Sequence, residues 1–208
     1  MSDATTIRRS ARKAKGSGHQ RRAEILEAAE RIFVAEGYEG ATIRKIADEV
    51  GVSSTALYMH FPDKSRILQE ISDRALKLLL ERNLEISAKP LDPVTRVRQM
   101  LEAYIRWGLA HPNAYQLVYS APRSTSAWAD DMRDLSAHAY DIFVDVVREI
   151  AAAGRLRAGT PDSVAQSLWM SCHGVVTLLT VRRDFPWAPQ EELIGVTLDT
   201  MVAGMVAD

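Results

Sequence analysis

The stretch from Thr42 to Lys64, TIRKIADEVGVSSTALYMHFPDK, permits very few folds. Its apolar residues Ile46, Val50, Val52, Leu57 and Phe61 are spaced to bury one face of each of two short helices against Ile32 and Phe33 upstream. Ala47 is small where the two helices must cross, and Gly51, four residues later, supplies the left-handed backbone of a tight turn. Thr42 and Ser53 stand where helix N-caps belong. With the apolar positions turned inward, Ser54, Thr55, Tyr58 and Met59 face outward. Hydroxyls and a threonine methyl can touch base edges or thymine methyl groups in a major groove. Tyr58, His60 and Lys64 lie toward the end of the second helix, where donors meet phosphate oxygens, and Thr42 with the first amides of its own helix can hold another phosphate. Arg44 and Lys45 complete this candidate DNA-contacting set. The plainer alternative is a helical hairpin with an incidental polar face, but that does not require the Ala47–Gly51 spacing together with an exposed Ser-Thr-Tyr row.

Helical periodicity runs through the rest of the chain and no segment alternates like a strand, so the expected class is all-α. A loose tail ends near Gly16-Ser17-Gly18; residues 20–37 then place Ile25, Ala28, Ala29, Ile32 and Phe33 on one face, with Gly37 closing that helix. Asp63 is placed to cap a long helix from Lys64 to about Ala88. Four later helices start on a proline in the first turn, at Asp92-Pro93, His111-Pro112, Thr160-Pro161 and Ala188-Pro189, where a missing N–H costs nothing. Gly154 ends a helix running from about Thr125. The pattern predicts roughly nine helices: three small ones in front, one connecting helix, and about five in a bundle. The expected organisation is a basic flexible tail over 1–18, a helix-turn-helix domain over 19–66, and a helical ligand-binding and dimerisation bundle over 67–208.

Net charge is only −1, but it is unevenly spread. Residues 1–22 hold seven cations, Arg8, Arg9, Arg12, Lys13, Lys15, Arg21 and Arg22, against Asp3; this end is +6 and the remaining 186 residues are −7. A basic pole on an acidic body concentrates attraction for phosphate at one end, although a solubilising tail has the same composition. No apolar run approaches the ~18 residues of a membrane span and the N-terminus lacks a signal-like apolar stretch, so no membrane contact and a cytoplasmic location are expected. The lone Cys172 fits a reducing compartment and reads as a small buried residue.

In the bundle, Tyr104, Trp107, Tyr115, Tyr119, Trp128, Tyr140, Trp169 and His173 combine aromatic walls with a few polar handles, the mix of a small-molecule site; a plain core is the alternative for any one of them. The helices at about 161–182 and 189–206 are apolar on several sides, which suggests a two-fold subunit interface built as a four-helix layer. An enzyme is disfavoured. A bundle metalloenzyme uses Glu-x-x-His motifs and none occurs; no glycine-rich phosphate loop, GxSxG or HExxH is present, so no cofactor and no metal is expected.

The segment Arg21 to Leu68 resembles the DNA-binding domain of TetR-type transcriptional regulators, most specifically in LYxHFxxK, here Leu57 to Lys64. SLWMSCHGVVTLLTV (Ser167–Val181) is similar to a TetR subgroup named for a Trp–His–Gly signature, matched by Trp169, His173 and Gly174, and HPNAYQLVYSAPR (His111–Arg123) is similar to the same subgroup. The resemblance implies a homodimer on a palindromic DNA site, with Thr42, Tyr58, His60 and Lys64 on phosphates and Ser53 to Thr55 near bases. It further implies that an unknown small-molecule effector in the C-terminal domain changes the spacing of two recognition helices.

Overall fold

The structure, a computed structural model, describes residues 17–120 and 127–207; the side chains of 17, 117, 118, 120 and 127–133 lie outside that description. Among the described residues there are nine helices: α1 (Ser17–Gly40), α2 (Ile43–Val50), α3 (Ser54–Tyr58), α4 (Lys64–Ser87), α5 (Pro93–Ala110), α6 (Pro112–Ser120), α7 (Ala127–Ala152), α8 (Pro161–Val181) and α9 (Gln190–Met205). Extended pairing among them is limited to one antiparallel bridge, Leu156 with Val206. The all-α class is therefore observed. The first helix begins at Ser17, earlier than the periodicity suggested, and is broken at Gly37 (φ 73°, ψ 173°). Five of the seven N-terminal cations, Arg8 to Lys15, fall outside the described residues.

The chain divides into two compact units, the first ending at Lys64 and the second beginning at Ser65. In the first, α1 packs on α2 and α2 on α3. Ile25, Ala28, Ala29, Phe33, Ile46, Ala47, Leu57 and Phe61 are buried, whereas Ile32, Val50 and Val52 are only half-buried. Burying each large apolar side chain contributes about 1.5–3 kcal/mol, which is how a unit this small holds together.

In the second unit α5 is the central element, packed by α6, α7, α8 and α9. Three of the four proline signals start helices as expected: Pro93 behind the Asp92 cap, Pro112, and Pro161 behind Thr160. At the α8 start the caps are reciprocal, with the Ser163 N–H donating to Thr160 Oγ1 at 3.2 Å and the Thr160 N–H donating to Ser163 Oγ at 3.0 Å. Pro189 occupies the cap position of α9, one residue earlier than expected. Gly108 on α5 lets α8 come close, because a Cβ there would stand 2.7 Å from Val176 Cγ1. Arg96, nearly buried, donates to Leu91 O at 3.1 Å and Ser87 O at 2.9 Å and forms a two-pronged pair with Glu149, clamping the α4–α5 connection to α7.

At 21 residues, α8 is long and apolar enough by composition to cross a bilayer, a test that the core helix of a bundle also passes. Its apolar surplus is a two-sided one: Ala165, Leu168, Cys172 and Val176 are buried in the bundle, while Met170, Leu178 and Val181 are exposed.

Candidate functional site

Local chemistry positions the residues singled out around the turn. Thr42 is extended and its Oγ1 accepts from the Lys45 N–H at 3.2 Å, opening α2. Gly51 adopts the left-handed conformation (φ 73°, ψ 36°), its N–H donates to the end of α2, and the Val52 N–H donates to Ala47 O at 2.9 Å. Ser53 Oγ then accepts from the Ala56 N–H at 3.1 Å and starts α3. Leu57 goes inward, leaving Thr55, Tyr58 and Met59 exposed and Ser54 and His60 half-exposed.

The cations behave less uniformly. Arg44 is open to solvent, with Asp48 3.9 Å away. The Lys45 ammonium is held by Glu36 and donates to Gly40 O at 2.9 Å. Lys64 donates to Tyr38 O at 2.8 Å and Ala41 O at 3.3 Å, and lies 4.1 Å from the centre of the Tyr38 ring. Both lysines thus tie down the chain between α1 and α2. Arg22, counted with the basic pole, is instead packed over the Phe61 ring at 4.0 Å and donates to His60 O at 2.7 Å, fixing the end of α3; Arg21 pairs with Glu24 at 2.6 Å. Lys45, Lys64 and Arg22 each reach backbone carbonyls as well as other groups, a kind of contact that residue spacing does not encode.

In the second unit a small cavity of about 40 Å³ lies between α4, α5, α6, α7 and α8. Tyr104, Tyr119, Tyr140 and Trp169 line it; Trp107, Tyr115 and His173 do not, and the Trp128 side chain lies outside the described residues. Trp107 instead donates from Nε1 to Ala75 O at 2.7 Å and is buried in the core. His173 stands behind the wall as the hub of a polar cluster. Its Nε2 is 2.8 Å from Tyr104 Oη and its Nδ1 is 2.6 Å from Tyr115 Oη, which also reaches Thr177 Oγ1 at 3.0 Å. Tyr119 and Trp169 meet the ring edge-on at 4.4 and 4.6 Å. Desolvation lowers the His173 pKa to about 4, so the imidazole is neutral and donates through one nitrogen while accepting through the other. Burial likewise raises both Tyr104 and Tyr115 and pushes the Cys172 thiol up to about 12, leaving it an inert core group.

Sequence reasoning passed over Asn83 and Ser136, which also line the cavity. A signal for Asn83 existed: it interrupts the apolar stripe Leu76, Leu79, Ile86 of α4 at a core-facing position.

Fold and site together define a two-part helical regulator whose first part is a helix-turn-helix. Residues 25–71 match the family of bacterial regulatory proteins of the tetR type, and residues 97–204 match the tetracyclin repressor-like C-terminal domain. The chain belongs to the TetR family of DNA-binding transcriptional regulators. Over 150 residues it is 30% identical to the HTH-type transcriptional repressor AcnR of Corynebacterium diphtheriae, covering 69% of this chain and 72% of that protein. Its fold is similar to a TetR/AcrR-family regulator from Thermobifida fusca (TM-score 0.75, 23% identity, 89% of this chain and 98% of that one). It is also similar to the ketosteroid transcriptional regulator KstR2 of Mycobacterium tuberculosis (TM-score 0.71, 23% identity, 90% and 96%).

Proposed function

We propose that the chain is a ligand-responsive homodimeric repressor, not an enzyme, that binds a palindromic operator in the cytoplasm and is released by a small, largely apolar effector. The observation that carries this reading is the outward row on the helix-turn-helix: Thr55, Tyr58 and Met59 exposed beside a buried Leu57. Ser53, Ser54 and Thr55 read base edges, and Thr42, Arg44, Tyr58 and His60 hold phosphates. Lys45 and Lys64 act chiefly as posts for the α1–α2 connection, Lys45 paired with Glu36 and Lys64 on the carbonyls of Tyr38 and Ala41 with Glu39 3.9 Å away.

In this reading residues 19–66 form the DNA-binding domain, and 67–208 bind the effector and the second copy. The α4–α8 cavity, walled by five aromatics, receives the effector. That KstR2 is named for ketosteroids and AcnR as a repressor supports an apolar effector and a repressing role. Membership of the Trp–His–Gly subgroup is part of the proposal, with Trp169 in the cavity wall and His173 behind it. Pairing through α8 and α9 is supported by Met170 (63% exposed), Leu178 and Val181 (70% exposed), which share a stripe of α8 with Gly174, where a neighbouring helix finds open space. Helix α4 carries both Lys64 and Asn83, one belonging to each unit, and so transmits effector binding as a population shift between dimers that can and cannot hold DNA.

The test is direct. Compounds that raise the melting temperature of the protein are titrated into its complex with a palindrome from the DNA flanking its coding region. Release of the DNA by at least one stabilising apolar compound is expected. Stabilising compounds that all leave DNA affinity unchanged would remove effector control from the reading.

A further inference from the structure

Among the described residues the cavity wall contains a buried polar atom without a hydrogen-bond partner, on Asn83. Asn83 stands on α4 one turn beyond Leu79 and is 6% exposed. Its Nδ2 donates to Ala139 O on α7 at 3.0 Å. A carbonyl can only accept, so this bond settles which way the amide is turned: the NH₂ faces α7 and Oδ1 is the uncommitted end. Oδ1 is buried and has no hydrogen-bond donor. The neighbouring polar groups are engaged elsewhere, Tyr119 Oη with Ser136 Oγ at 3.4 Å and Tyr104 Oη with the His173 ring. The remaining lining is apolar or aromatic, the Tyr140 hydroxyl and the Cys172 thiol its other polar tips, and no lysine, arginine or histidine is among the described lining residues.

A buried acceptor without a donor costs free energy that a ligand recovers if it brings the donor. We infer that Asn83 selects an effector with an apolar carbon skeleton bearing a hydrogen-bond donor, a hydroxyl above all, over skeletons that carry only acceptors. This rests on the reading of the cavity as the effector site. An ether or ketone places oxygen against oxygen at Asn83. A carboxylate adds a desolvated charge in a wall whose described residues offer no cation. Sites built to hydrogen-bond one substrate group discriminate steeply against analogues lacking it, whereas differences in hydrocarbon bulk discriminate weakly.

The experiment compares two isomers of equal size, decanol and methyl nonyl ether, binding to the full chain by calorimetry or tryptophan quenching. Decanol is expected to bind about tenfold or more tightly than the ether, the range that an unmet buried acceptor sets. In Asn83→Leu the ratio should fall to near one, with the ether bound no more weakly than by wild type. Equal binding of the two isomers by wild type overturns the donor selection while leaving the cavity as an effector site. A preference that survives in Asn83→Leu overturns the assignment to Asn83. Binding of neither isomer overturns the cavity reading and this inference together. Should Asn83→Leu fail to fold, Asn83→Met makes the same comparison with a more adaptable side chain.

Discussion

His173 illustrates how a single residue sets a measurable property. Its imidazole is held neutral by desolvation between two tyrosine hydroxyls, with a folded pKa of about 4 against an ordinary 6.5. A depressed histidine pKa means that the unfolded chain binds the proton first. Its contribution to stability is therefore complete above about pH 6.5 and is lost as the pH falls toward 4. Chemical denaturation of wild type and His173→Gln across that window should give curves that differ near pH 7 and converge as the medium is acidified; parallel curves would show that the ring is not buried neutral. Of the eight bundle residues that composition marked out, four line the cavity and three are packed behind it or in the core. Aromatic identity tells that a residue is large and apolar with a polar tip. It does not tell which side of a helix wall the tip ends on, and so Tyr115 and Tyr119 were indistinguishable by sequence. Asn83 was legible in principle, as a polar residue in an apolar stripe, but the bond to Ala139 that leaves its oxygen uncommitted spans 56 positions.

At the level of elements, the signals that were strictly local were the readable ones. Thr42, Gly51 and Ser53 act on their own neighbours through hydrogen bonds three to five residues long, so the two short helices and their turn could be placed from the sequence. The same holds for Pro93, Pro112 and Pro161. Contacts between elements were not readable in this way. The Lys45 and Lys64 anchors depend on carbonyls and a ring supplied by the end of α1, and the α5–α8 crossing depends on Gly108 facing Val176. That crossing makes a firm prediction. Gly108→Ala forces a methyl to within 2.7 Å of a Val176 methyl and should destabilise the protein by about 1–3 kcal/mol in urea unfolding. Adding Val176→Ala should cost less in this background than it does alone, because the two changes share one space. Additive effects would mean that α5 and α8 are not in close contact there. Thr160→Ala, which removes one half of the reciprocal cap of α8, should cost about 1 kcal/mol by the same measurement, with no cost expected if that end is frayed.

For the whole molecule, the exposed apolar stripe of α8 and the exposed Val196 of α9 call for a covering surface, and the account assigns it to a second copy of the chain. Met170→Glu combined with Val181→Glu should convert a dimer into monomers in sedimentation equilibrium without loss of helical circular dichroism. A wild-type protein that sediments as a monomer would leave the stripe unexplained and the palindromic site unfounded. Dimerisation in turn bears on DNA, since a two-fold protein presents two recognition helices to half-sites one or more helical turns apart. Single contacts can be weighed within that frame: Arg44→Ala, at a solvent-exposed side chain, should leave stability almost untouched while weakening binding to all sequences alike. The most direct measurement of the central claim is the affinity of the purified protein for the DNA flanking its own coding region, followed across salt concentration. The account predicts that the logarithm of the binding constant falls linearly with the logarithm of salt, by about 0.9 for each phosphate held, and that the slope shrinks by about that amount per dimer contact removed in Arg44→Ala. A binding constant that hardly changes across salt would contradict it.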